Sequence, residues 1–411
     1  MKSRRLIFDD TLALVLAGGQ GERLYPLTRD RSKPAVPFGG LYRIIDFTLS
    51  NCLNSGLRKI FVFTQYKSGS LDRHLKLGWD PLFSAELDEW LYTVPPQLRV
   101  GQRWYAGTAD AVYQNVYLLQ QERPRLVLVL SGDHVYKMDY RKLLEFHESR
   151  NATATIGAVE VPREQASSFG VVEVDDLGRI LAFHEKPKDP RPIPGKPDRC
   201  LVNMGIYCFD TETLVRAVTN DAKQDSRHDF GHDVLPGLVR EGKLFAYSFV
   251  DENHKEVLYW RDIGTLDSYY EASCDLVAVD PVFNLYDAGW PLRTQPRQLP
   301  PAKTVFAGGE EGRIGTVLDS LVCGGAIVSG GRAERCILSP EVRINSYARV
   351  TESVLMDGVD VGRHARITRA IIDKGVHIPA GFVVGEDPEA DRKRFSVTPG
   401  GVVVIPRYTE L

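Results

Sequence analysis

An α/β domain with a mostly parallel sheet, followed by a parallel β-helix, is the fold class this sequence predicts. Three observations carry that expectation. Apolar runs of strand length at 12–16, 59–64 and 125–130 alternate with segments of helical character, the pattern of βαβ units. A stretch crowded with Pro281, Pro291, Pro296, Pro300 and Pro301 then interrupts the regular texture. Beyond Gly312 apolar residues recur every six positions, the signature of hexapeptide coils. The expected division is 1–280 for the first domain, 281–311 for a surface linker and 312–411 for the β-helix.

The first strand, 12–16, runs into Ala17-Gly18-Gly19-Gln20-Gly21, a loop that no bulky side chain could follow. Glycines let the backbone approach a ligand and turn its N–H groups toward it. Arg23 and Lys33 follow, the latter just ahead of Pro34. A glycine turn with an Arg and a Lys suits a chain of phosphates: the amides meet oxygens at short range, and the cations reach the outer groups. Spacing excludes two better-known loops. No Lys-Ser or Lys-Thr follows the glycines as a P-loop requires, and Leu24 stands where a dinucleotide fingerprint needs its third glycine.

Composition narrows the class. The chain has 411 residues, 43% hydrophobic and 26% charged, which is ordinary for a globular protein of two domains. Its formal charge of −3 leaves no footprint for nucleic acid or an anionic membrane, and no segment approaches a membrane span. The stretch MKSRRLIFDD holds too few apolar residues for a signal peptide. Six cysteines without CxxC spacing read as reduced thiols, so a cytoplasmic location is expected.

Further elements follow in order. A helix is expected over 48–55, closing at Gly56, then a buried strand at 59–64 and a helix near 70–77. In WYAGTADAV, Thr108 is expected to cap a helix running to Gln121. Trp104 and Tyr105 read equally well as packing beside that helix or as ligand contacts. Strand 125–130 ends in Ser131-Gly132-Asp133-His134. A carboxylate just past a central parallel strand is a common metal ligand, although Asp also caps helices. His134 reads as structural. Strands are expected at 153–161, 170–174 and 203–209. By themselves Glu185 and Lys186 read as a solvated pair at a strand end. Asp262, before a glycine turn, offers a second carboxylate that its own sequence context does not assign.

In the C-terminal part Val342, Ala348 and Val354 fall six apart, as do Val359, Ala365 and Ile371. A second register echoes them at Ile344 and Val350, Val361 and Ile367, and Ile378 and Val384. The expected geometry puts one small apolar side chain inward per hexad, with each coil burying its faces on the next.

Taken together, LAGGQGERL, KPAVPFGG, YRIIDF, WYAGTADAV, SGDHVYKMDY, FHEKP, NMGIYCF, YWRDIGT, GWPLRT and the repeats resemble the bacterial ADP-glucose pyrophosphorylases. The resemblance runs from about Leu12 to about Val404. It implies an α/β/α nucleotidyltransferase domain, a left-handed β-helix, a homotetramer, and synthesis of ADP-glucose from ATP and glucose 1-phosphate. It implies that Gly18, Gly19, Gly21, Gly107 and Thr108 hold the nucleotide, with Arg23 and Lys33 on its phosphates. Asp133 and Asp262 would hold Mg²⁺, while Tyr105, Gly170, Glu185, Lys186 and Asn203 would bind glucose 1-phosphate. Arg31, Arg43 and Lys374 match basic positions of a regulatory anion site. That site implies a sugar-phosphate or pyruvate activator and AMP or phosphate as inhibitor.

Three positions depart from the pattern. Asn203 stands where members commonly carry Ser, Asp30 where the enteric enzymes carry an activation Lys, and Pro37 where they carry a His. Fructose 1,6-bisphosphate is therefore not carried over as activator; fructose 6-phosphate or pyruvate fits as well. Two rivals stand beside this reading: a pyrophosphorylase for another nucleotide sugar, and a non-catalytic regulatory subunit. Retention of Arg23, Lys33, Asp133, Lys186 and Asp262 argues against the second.

Overall fold

The computed structural model describes residues 7–8, 10–97, 104–240, 242–308 and 313–411. Most of the N-terminal stretch weighed above as a signal peptide lies outside them. Strand Thr11–Ala17 sits at the centre of a nine-stranded sheet, parallel to Lys59–Thr64 on one side and Leu126–Ser131 on the other. Trp90–Val94 extends the parallel part to one edge. Beyond Leu126–Ser131 the pairing turns antiparallel through the long strand Arg199–Asp210. That strand carries Ala154–Pro162 and, through a single register pair, the hairpin Gly170–Val174 and Ile180–Glu185.

The continuous apolar runs are explained by burial on both sheet faces. Ala13 and Val15 point into one layer, with Leu49 of helix Ile44–Asn54 and Leu143 of helix Tyr140–Ser149. Leu12 and Leu14 point into the other, with Val112 of helix Thr108–Gln114 and Leu214 of helix Thr211–Asp221. The domain is thus α/β/α. Among the described residues no helix is long and apolar enough to cross a membrane.

Several boundaries move. The helix expected over 48–55 begins at Ile44, because the Asp46 carboxylate accepts the Arg43 backbone N–H at 2.8 Å and closes the first turn. Thr108 is not an N-cap. Gly107 holds that position, and the Thr108 hydroxyl instead donates to Asp229 at 2.9 Å and accepts from the Phe230 N–H at 3.0 Å. The expected single helix breaks at Asn115 into Thr108–Gln114 and Val116–Glu122. Strand Trp90–Val94 was not foreseen, since five residues ahead of two prolines carry little periodic signal.

The proline-rich stretch does more than wrap the surface. Phe283 is fully buried, which stabilises the docking by on the order of 2 kcal/mol, and the Trp290 indole donates to Asn51 at 2.8 Å. The first β-helix strand, Lys303–Val305, starts inside the expected linker and pairs with Ile327–Ser329. Three sheets follow, parallel except where Ser396–Val397 closes one of them antiparallel, and Arg332, Arg349 and Arg366 lie in register, so a coil advances 17 residues. Both hexad registers point inward: Val342 and Ile344, Ala348 and Val350, Val359 and Val361 are all buried. Two side chains per hexad therefore fill the prism, not one. A shared core joins the domains, bringing Val36, Phe38 and Tyr269 against Ile337, Met356, Ile371 and Val404.

Candidate active site

Three side chains from distant parts of the chain meet at the carboxyl ends of the central strands. Asp133 follows strand Leu126–Ser131. Asp262 ends strand Trp260–Asp262, which pairs antiparallel with His134–Tyr136 so that Asp262 lies opposite His134. Lys33 opens the short turn Lys33–Ala35, where Pro34 fixes the backbone. Its ammonium stands 2.7 Å from Asp133 and 2.9 Å from Asp262. One cation thus faces two carboxylates, and the group carries an excess negative charge.

Electrostatics follow from that arrangement. Burial alone would raise the Asp133 carboxyl, but Lys33, His134 and the Ser131 hydroxyl outweigh it and hold it well below its ordinary range. Burial alone would lower Lys33, yet its two carboxylate partners keep it above its usual value. One oxygen from each Asp and one nitrogen of His134 lie within 4.8 Å of one another. Two carboxylates that also leave room for substrate oxygens suit a divalent cation, so the residues present fit one.

Beside this group lies a cavity of about 400 Å³, lined by Gly18, Gly19, Gln20, Gln65, Tyr66 and Thr108 among others. Gly21 adopts a φ of 66°, and a Cβ there would meet Lys33 Cβ and Thr28 at 3.0 Å, so the glycine loop rests directly on the Lys33 turn. Arg23 comes close to Asp262: its guanidinium is 3.4 Å, and the Asp262 carboxylate 3.3 Å, from where a Gly264 Cβ would stand. Gly19 has no heavy atom near its Cβ position and faces open space.

On the far side Gly170 pairs in register with Glu185. A Cβ on Gly170 would come within 2.8 Å of the Glu185 carboxylate, and one on Gly231 within 3.0 Å, so two glycines seat that group. Burial, with Asp229 adding to it, raises the Glu185 carboxyl despite Lys186 nearby. Lys186 holds a φ of 47°, a left-handed conformation that is costly for a residue with a side chain. Its ammonium lies 3.6 Å from Glu185 and is otherwise open to solvent.

This geometry has relatives. Residues 12–278 match the nucleotidyl transferase family, and 300–405 match the GlmU-like C-terminal hexapeptide family. The chain is 53% identical over 400 residues to the glucose-1-phosphate adenylyltransferase of Koribacter versatilis, spanning 97% of this chain and 95% of that one. With the enzyme of the same name from Rhodopirellula baltica it shares 54% over 400 residues, covering 97% and 90%. For glucose-1-phosphate adenylyltransferase 2 of Vibrio cholerae the figures are 51% over 401 residues, 97% and 98%. The chain belongs to the glucose-1-phosphate adenylyltransferase family.

The family resemblance read from the motifs holds along the whole chain, and the hexapeptide match accords with the left-handed winding it implied. Within this adenylyltransferase frame, the structure brings Lys33, Asp133 and Asp262 together and puts Arg23 beside them. Gly170, Glu185 and Lys186 form a second cluster. Tyr105 lines the cavity beside the glycine loop, with its hydroxyl buried against Asn115 at 2.9 Å. Asn203 has both amide atoms engaged, donating to the Tyr207 hydroxyl at 2.8 Å and accepting from the Gly205 N–H at 2.9 Å. Gly107 lacks a side chain for a packing reason: a Cβ would come within 2.3 Å of the His228 carbonyl.

Three contributors escaped the sequence reading. His134, read as structural, lies 3.5 Å from Asp133 and 3.7 Å from Asp262. Gln65 accepts from the Tyr105 N–H at 3.0 Å and so pins the loop before Thr108. Asp229 ties Thr108 to the Glu185 cluster. A polar residue just past the strand Lys59–Thr64 was the available signal for Gln65. The basic residues expected at an anion site divide. Arg43 and Lys374 line a cavity of about 320 Å³ between the domains, together with Arg297. Arg31 is not among the lining residues; it lies behind them in a buried pair with Asp373, near enough for its charge to act on both Arg43 and Lys374.

Proposed function

We propose that the Lys33–Asp133–Asp262 group is the reacting centre of a glucose-1-phosphate adenylyltransferase, joining ATP and α-D-glucose 1-phosphate into ADP-glucose and pyrophosphate. The observation that carries this reading is the one cation set between two carboxylates at the edge of a glycine-walled cavity. The sugar phosphate is already ionised near neutral pH, so attack on the α-phosphorus needs no general base. The barrier is repulsion between two polyanions and the charge that grows on the leaving pyrophosphate. Positioning and electrostatics then supply the acceleration.

Each residue has a part in that scheme. The glycine loop and Gly19 admit the triphosphate closely. Lys33 neutralises phosphate charge next to the bond that breaks, and Arg23 takes the outer phosphates. Mg²⁺, held by Asp133 and Asp262, would add Lewis-acid stabilisation at the α-phosphate. Lys186 pairs with the phosphate of glucose 1-phosphate, while Glu185 accepts hydrogen bonds from the sugar. The raised Glu185 carboxyl and the constrained Lys186 backbone support that division of labour.

Regulation belongs to the cavity between the domains. Arg43 and Lys374 there suit an anion, with fructose 6-phosphate or pyruvate as activator and AMP or phosphate as inhibitor. A cytoplasmic homotetramer completes the reading. The test is pyrophosphate release from glucose 1-phosphate and Mg²⁺ with ATP, UTP, dTTP or GTP in parallel. Release selective for ATP supports it. Faster release with another triphosphate overturns the substrate, and none under any condition overturns the activity.

A further inference from the structure

The β-helix holds the segment that carries Lys33. Arg31 Nη2 donates to both oxygens of Asp373, at 2.9 and 3.0 Å, and Nη1 lies 3.9 Å from Met356 Sδ. Their side chains are only 3% and 1% exposed. Asp373 is itself held. It follows strand Ala370–Ile372, which lies between Val354–Leu355 and Val403–Ile405. Its N–H donates to the Ile405 carbonyl at 2.9 Å, and its carboxylate accepts the Lys374 N–H at 2.7 Å. Arg29 makes a second anchor, donating to the Arg407 carbonyl.

Between Arg31 and Lys33 there is little slack. Arg31, Ser32, Lys33, Pro34 and Ala35 are all buried. The Val36 N–H closes the turn on the Lys33 carbonyl at 3.0 Å. Two residues span at most about 7 Å, so a shift of the Arg31 backbone is passed to that of Lys33. A buried guanidinium that loses its carboxylate is strongly unfavourable, and the segment relaxes toward water to relieve it. That relaxation draws Lys33 from between Asp133 and Asp262.

We propose that Asp373, on the β-helix, is a positioning residue for adenylyl transfer, fixing Lys33 through Arg31. This inference rests on the reading of Lys33 as a catalytic residue. The β-helix then supplies a part of the active-site scaffold, and not only a platform for assembly or regulation.

The test uses the full chain with Asp373→Asn, Asp373→Glu, Lys33→Ala and, as a stability control, Ile367→Ala. Ile367 is buried within the β-helix core, away from the catalytic domain. Steady-state constants and melting temperature are measured for each. Because small misplacements of a catalytic group cost large factors, Asp373→Asn is expected to lower kcat by about 10- to 100-fold, with KM for glucose 1-phosphate within about twofold. Asp373→Glu should recover part of that loss. Ile367→Ala, at comparable loss of melting temperature, should keep kcat within about twofold. Where Asp373→Asn does not fold, Arg31→Lys takes its place, and the same split in kcat is expected. An Asp373→Asn protein that melts earlier but keeps kcat, or an Ile367→Ala protein that loses kcat equally, overturns the proposal. Lys33→Ala separates the two levels. A Lys33→Ala protein that still turns over overturns the catalytic reading itself. An inactive one beside an active Asp373→Asn overturns only the positioning role.

Discussion

Arg31 and Lys33 are two residues apart and are both paired with carboxylates, yet the two groups are built for opposite ends. Arg31 meets one Asp in a sealed pocket, and the charges cancel. Lys33 meets two, on side chains that are 28% exposed beside a cavity, and a negative charge is left over. A closed, neutral pair asks for nothing further and serves as a joint. An open, unbalanced one keeps charge and room to spare, which the proposed cation and phosphates would use. Proximity in sequence therefore says little about role; charge balance and access decide it.

Substitution should separate the two groups. The largest effect falls on the open one: Lys33→Ala or Asp133→Ala should lower kcat by roughly a thousandfold, read as pyrophosphate release, because charge stabilisation at a reacting phosphate is lost. At the closed pair the first-order effect is on stability. Asp373→Asn should cost about 3–5 kcal/mol in chemical denaturation, the penalty of stranding a buried charge. Unchanged stability would mean that water already reaches Arg31.

Smaller effects sharpen the contrast. Glu185→Gln should raise KM for glucose 1-phosphate by roughly tenfold, the worth of a charged hydrogen bond, while kcat moves less. Acidity offers another reading of the open group. Asp133 is depressed, so its contribution to stability is complete above about pH 4 and is lost only as pH falls further. Lys33 is raised, so its contribution is complete below about pH 10 and is lost as pH climbs through its folded value. The gap in melting temperature between the parent and Asp133→Asn should therefore stay flat from about pH 5 to 9 and shrink in stronger acid. Arg43→Ala or Lys374→Ala should weaken activation by fructose 6-phosphate or pyruvate several-fold, measured as the effector concentration for half-maximal rate.

Local patterns were the legible part. Strands buried on both faces read as continuous apolar runs, and coils of the β-helix read as a six-residue period. The glycine loop, Arg23 and Lys33 stood within one short stretch and announced phosphate chemistry together. What could not be read was pairing across distance. Asp262 gains its meaning from a two-stranded ribbon that sets it opposite His134, some 130 residues earlier in the chain. The same holds for Arg31, matched in sequence to a regulatory anion site, whose pairing with Asp373 emerges only when the domains close. Gly107 lines the cavity, but the packing demand on it was not legible: a side chain there would meet the His228 carbonyl, contributed from another part of the fold. Gln65 and Asp229 act by holding loops; position just past a strand was a signal for Gln65, and nothing in the spacing marked Asp229.

One measurement bears most directly on the open group. Pyrophosphate release by the parent and by Asp262→Asn is followed across a Mg²⁺ titration at saturating ATP and glucose 1-phosphate. If Asp133 and Asp262 hold one cation with Lys33 as their counter-charge, the variant loses most of its rate and needs several times more Mg²⁺ for half-saturation. Superimposable Mg²⁺ curves, with the rate preserved, would show that the two carboxylates do not form a metal site.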